Sequence, residues 1–177
     1  MKRILLPLMF LLAVSSAASA QFAPSTENLR GLKGVRLIVM FHCADGLEEA
    51  QRPEVLKMLE ADLTAKLQEA GIPLLRNADE LQKAGGPRLI VLLTLEKLNG
   101  FVHPVVIEVK LLQTVRLVRD PSIEYEAVTW SLGGVGGPEL RIDMLRRLAA
   151  GTIDRFIQDY FSENPKQSAS SRKDKSQ

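Results

Sequence analysis

The chain has 177 residues, 23 of them basic and 21 acidic, with 46% hydrophobic side chains and one cysteine. Lys2 and Arg3 account for the formal surplus of +2, so the remainder is balanced and lacks the basic footprint that nucleic acid binding needs. A lone thiol, Cys43, cannot close an intramolecular disulfide, so stability has to come from packing.

Taken in order, Lys2 and Arg3 precede an apolar run from Ile4 to Val14, and Ala18-Ser19-Ala20 precede Gln21. This is the charged, apolar and small-residue pattern of a secretory leader, with an apolar run too short for a permanent span. It predicts a signal peptide over 1–20, cleavage near Ala20, and a periplasmic or secreted product. No later stretch approaches the ~18 apolar residues of a membrane helix. Residues 21–31 are polar and read as a flexible lead-in to a single domain over 32–165.

Gly34 to Phe41 is a short, β-branched apolar run, as in a buried strand. Pro53 suits a first helical turn, and Leu56, Leu59, Leu63, Leu67 and Ala70 recur at spacings of three and four up to Gly71 and Pro73. A helix over about 53–70 follows. Ile72 to Leu75 reads as a short strand, and Asn77 to Ala84 as one or two helical turns. Arg88 to Leu95 is apolar on both faces, and Asn99-Gly100 is a two-residue hairpin signal that joins it antiparallel to the next strand.

Between Val105 and Leu117 every odd position except Gln113 is aliphatic, a period of two. A three-residue loop at Asp120 to Ser122 would set Arg116 opposite Glu126, Leu117 opposite Tyr125 and Gln113 opposite Thr129, whose hydroxyl would satisfy the amide. Leu132 to Pro138 is glycine-rich and reads as a connector. Ile142, Leu145, Ala149, Ile153, Phe156 and Tyr160 form one stripe of a helix over about 139–163. Residues 166–177 are polar throughout and read as disordered. Together these elements predict an α+β two-layer sandwich: a mixed sheet of four to five strands, an antiparallel meander over about 88–131, and two main helices.

Chemistry is sparse. His42, Cys43 and Asp45, with His103, offer a thiol and imidazoles, but adjacent strand residues point to opposite faces and no pair has metal-ligand spacing. After Gly133 to Gly137 there is no Lys-Ser/Thr, and the third glycine of a dinucleotide loop would fall on Glu139. The sequence therefore nominates no catalytic, cofactor or metal residue. On the solvent side of the hairpin, Leu112, Val128 and Trp130 would form an apolar cluster, either a partner surface or core beneath a helix.

The apolar strand Val35 to Phe41, the helix ending Glu69-Ala70-Gly71-Ile72-Pro73, and the later meander and helix, roughly Leu32 to Tyr160, resemble the N-terminal α/β domain of TolB-type proteins. The 177 residues hold no β-propeller of the kind that follows that domain. The resemblance implies protein interaction in the envelope without catalysis, and supplies no functional residue. The sequence thus predicts an exported, non-enzymatic interaction or accessory module of the bacterial cell envelope, with another envelope protein as partner and an unassigned oligomeric state. The alternative is a small-ligand-binding protein or enzyme with a pocket near His42, Cys43 and His103.

Overall fold

The computed structural model describes residues 25–43, 52–95, 105–136 and 141–165. Arg88–Leu95 is apolar at odd and even positions alike, and it forms β2, an inner strand. On one side it pairs in parallel with β1 (Arg36–Cys43), Leu37 beside Leu89. On the other it runs antiparallel to β3 (Val105–Leu117), Leu89 opposite Leu111. β4 (Asp120–Val135) completes a mixed four-stranded sheet in the order β1-β2-β3-β4.

The crossover from β1 to β2 contains α1 (Arg52–Ala70), and the chain ends its described part with α3 (Ile142–Glu163). Both helices lie on one side of the sheet and bury Val55, Leu59, Leu63 and Leu67 of α1 and Leu145, Ala149, Ile153 and Phe156 of α3 against Leu89, Val91, Leu93, Ile107 and Val109. The architecture is the expected α+β sandwich. Leu56 is only half-buried, because the packed row of α1 advances by four residues from Val55.

Between the helix and β2 the chain makes one parallel bridge, Val35 with Leu74, in place of the expected short strand. Gly34 permits that approach: a Cβ there would lie 2.5 Å from the Pro73 carbonyl oxygen. α2 (Ala78–Lys83) begins at a capping box, in which the Asn77 side chain accepts from the Glu80 N–H and the Glu80 carboxylate accepts from Asn77. The backbone N–H groups of Arg76 and Asn77 hold the Glu80 carboxyl below its usual range.

Three further expectations are corrected. Residues 25–31 of the lead-in are seated on the domain: a 3-10 turn at Glu27–Leu29 buries Leu29 completely, and the Asn164 side chain donates to the Leu29 carbonyl at 2.7 Å. Leu132 to Val135 is strand, since β3 is long enough to pair Val109 with Leu132 and Ile107 with Gly134. Gly136 then leaves room for α3, because a Cβ there would meet Leu148 Cδ1 at 2.5 Å.

The third correction is the hairpin register. The chain turns at Val118 and Arg119, and Asp120 and Ser122 are tied within β4 by a carboxylate that accepts the Ser122 N–H and hydroxyl at 3.1 and 2.6 Å. Val115 therefore faces Tyr125, and Arg116 faces Glu124, which it binds at 2.6 Å, instead of Glu126. Further along, Leu111 faces Trp130 while Leu112 faces Val128, so Thr129 is an extra residue in a bulge. Its hydroxyl donates to Gln113 Oε1 at 2.6 Å, the partnership expected from the sequence. The leader over 1–20, Asn99-Gly100 and the tail over 166–177 lie outside the described residues.

Candidate interaction surface

Side chains alternate along each strand, so the positions that do not face the helices share the opposite side of the sheet. Register sets Ile38 beside Ile90 and Met40 beside Leu92, a block of four aliphatic side chains on β1 and β2. The same rows continue onto β3 with Lys110 and Glu108, joined at 2.8 Å. One row further, Arg36 and Arg88 align with Leu112 and Val128. In the opposite direction His42, Thr94, Val106 and Val135 align. Met40 is 49% exposed and Val128 51%; α1 and α3 pack on the other side of the sheet, and α2 borders this side only at its Arg36 end.

The charges bordering the block are unevenly used. Arg88 pairs with Glu126 and Arg116 with Glu124, while Arg36 has no ion-pair partner among the described residues. Among the described residues Arg88 Nε is buried without a hydrogen-bond acceptor. At this end a cleft of about 600 Å³ is lined by Arg36, Thr114, Arg116 and Glu124 from the sheet and by Leu81 and Gln82 of α2.

The groove between α1 and α3, about 410 Å³, is charged but internally neutralised. Arg146 binds Asp62 at 2.6 Å, Arg147 binds Asp143 at 3.1 Å, and Lys66 binds Asp154 at 2.8 Å. The hydrogen bond from Arg141 holds the Asp143 carboxyl below its usual range, and Asp62 raises Arg146. Both stay charged, the opposite of what proton transfer near neutral pH requires. Two buried polar groups serve the fold: Asp159 accepts from Trp130 Nε1 at 3.1 Å and Arg155 at 3.0 Å, and the Tyr160 hydroxyl donates to the Leu32 carbonyl at 2.9 Å.

No family model matches the chain, and no curated protein matches its sequence. Among solved structures, a PelC variant dodecamer from Paraburkholderia phytofirmans is similar at 16% identity and a TM-score of 0.35, over 74% of this chain and 92% of that one. A second PelC dodecamer from the same organism gives 16% and 0.33, over 72% and 88%.

Of the three residues expected to form a partner surface, Leu112 and Val128 share the bare side of the sheet and Trp130 does not. The bulge at Thr129 turns the indole to the helix side, where it is 2% exposed. His42 is exposed on β1 and Cys43 is the last residue of that strand; Asp45 and His103 lie outside the described residues. No group of three or more metal-ligating side chains occurs among the described residues, nor any helix long and apolar enough to cross a membrane. Ile38, Met40, Ile90 and Leu92 were not singled out from the sequence. Their strands are apolar on both faces, which reads as full burial until it is known that helices cover only one.

Proposed function

We propose that this chain is an exported, non-enzymatic interaction module of the bacterial cell envelope that takes its protein partner on the side of its sheet opposite α1 and α3. The observation that carries the reading is the aligned block of Ile38, Met40, Ile90 and Leu92 on a side without a helix layer. A contiguous apolar patch rimmed by charge is the usual form of a protein-binding surface, with Arg36, Arg88 and the Glu108–Lys110 pair as its polar rim. The leader pattern of residues 1–20 and the resemblance to the TolB-type N-terminal domain support the envelope setting.

A photo-crosslinking residue placed at Leu92 in the full chain, expressed in intact cells, tests it. Leu92 should yield a discrete adduct in the envelope fraction, lost on Met40→Glu, while the same probe at Arg155 on α3 should yield none. Equal labelling from both positions, or none from Leu92, would count against the surface.

A further inference from the structure

The two edges of the sheet are treated differently. An edge strand offers unpaired N–H and C=O groups to any extended chain, and natural sheets block this with proline, charge, bulges or a covering segment. β4 has all four: Pro121, Glu124 and Glu126, the bulge at Thr129, and Asn28, whose side chain donates to the Thr129 carbonyl at 2.8 Å. Among the described residues β1 is protected only at its start.

Backbone direction along β1 follows from two bonds. The Arg36 N–H points inward to the Pro87 carbonyl at 3.0 Å, while Val35 points outward, donating to Pro73 at 3.0 Å and accepting from Leu75 at 2.9 Å. Alternation then turns the N–H and C=O of Leu37, Val39 and Phe41 outward. Among the described residues nothing bonds them on that side. From Leu37 to His42 the strand contains no proline, glycine, lysine or acid.

We infer that β1 pairs antiparallel with β1 of a second copy of this chain, about a two-fold axis at Val39. The residues are self-complementary about that point. On the helix side Leu37 meets the partner's Phe41 and Val39 meets the partner's Val39; on the bare side Ile38 meets the partner's Met40, and Arg36 meets the partner's His42 instead of a second arginine. Other registers fare worse. An axis between residues sets outward groups against inward ones. An axis at Ile38 drives the partner's Phe41 onto Val35, whose outward groups Pro73 and Leu75 already occupy, and carries His42 and Cys43 past it, whereas about Val39 only Cys43, the last residue of β1, reaches Val35 and the pairing ends at Arg36 with the partner's His42. An axis at Met40 sets Ile38 against the partner's His42.

The two-fold axis runs perpendicular to the sheet, so the helix layers stay on one side and the aliphatic blocks of both copies join across the seam into one surface of eight strands. This goes beyond the partner docking proposed above, since edge and face are different surfaces.

Sedimentation equilibrium of the exported chain under reducing conditions, which exclude a Cys43 disulfide, should show a reversible monomer–dimer equilibrium. Ile38→Lys with Met40→Lys places like charges across the seam and should abolish the dimer over the same concentrations. Ile38→Glu with Met40→Lys places opposite charges there and should restore it. Val39→Pro removes an outward N–H without touching the ladder to β2 and should also give monomer, with circular dichroism confirming that each variant is folded. Ile90→Glu, on β2, should leave the dimer intact while removing the envelope adduct of the probe at Leu92, which separates the two proposals. A wild-type chain that is monomeric at every concentration, or a dimer that survives the lysine pair, overturns the edge pairing. Failure of the Glu/Lys pair to restore the dimer overturns the axis at Val39.

Discussion

Trp130 shows how one residue can invert the reading of a strand. Alternation along β4 without a bulge places it with Val128; the insertion of Thr129 places it instead under α3, its ring edge-on to Phe156 at 5.2 Å. The apolar residues shift from odd positions (Ile123, Tyr125, Ala127) to even ones (Val128, Trp130, Leu132), but that shift does not say which residue is the extra one or which run faces the helices. What was legible was the polar partnership: Gln113 interrupts an aliphatic row, a half-buried amide needs a partner, and Thr129 supplies it. The indole needs one too, and the only carboxylate that reaches it among the described residues is Asp159. Asp159→Ala leaves a buried N–H without an acceptor and should cost about 1–3 kcal/mol. Asp159→Asn keeps a carbonyl for the indole and forfeits mainly the pair with the half-exposed Arg155, a loss of under about 1 kcal/mol. Urea unfolding followed by the emission of Trp130, the sole tryptophan, measures both. Equal losses from the two variants would mean that the hydrogen bond to the indole is not the source.

Among the elements, those with their own periodicity were readable: the helix expected over 53–70 is Arg52–Ala70, and the strand from Arg88 to Leu95 is β2. Those held by a neighbour were not. Leu132-Gly133-Gly134-Val135 has poor strand propensity, yet β3 offers an edge that pairs with it. Residues 25–31 look polar, yet buried Leu29 and the bonds made by Thr26, Asn28, Arg30 and Gly31 anchor them. The bulge belongs to the same class, and its importance can be measured. Deleting Thr129 restores plain alternation, so either Trp130 leaves the core or the rest of β4 slips and exposes its buried face. The expected loss is about 3 kcal/mol or more, comparable to removing a large aromatic from a core, with a red shift of the emission. Thr129→Val keeps the residue count and removes one hydrogen bond, for a loss of about 1 kcal/mol. Similar stabilities for the two variants would show that the bulge does not set the side on which Trp130 packs.

For the molecule as a whole, two layers could be foreseen because amphipathic helices must cover a sheet. Which side they leave bare could not, since β1 and β2 are apolar on both. Nor could the latch that joins the start of the described domain to its end. There, Thr26 and Arg30 bind Glu163 at 3.0 and 2.9 Å, Gly31 donates to the Asn164 side chain at 2.7 Å, and Tyr160 holds the Leu32 carbonyl. Most of these groups are exposed and contribute little each; Tyr160 is buried, and burial raises its pKa above the ordinary tyrosine value. The sign follows from linkage. The folded state favours the neutral phenol, so its stabilisation is fully present below the unfolded pKa of about 10 and is lost as pH rises through the higher folded value. The urea midpoint should therefore fall as pH is raised from about 8 to about 11, with the latch opening first. Tyr160→Phe should cost about 1 kcal/mol at neutral pH for the lost hydrogen bond, and should show a shallower alkaline decline, since its folded state no longer depends on a neutral phenol at position 160. Parallel declines in wild type and Tyr160→Phe would mean that the buried phenol is not the group that links alkaline pH to unfolding.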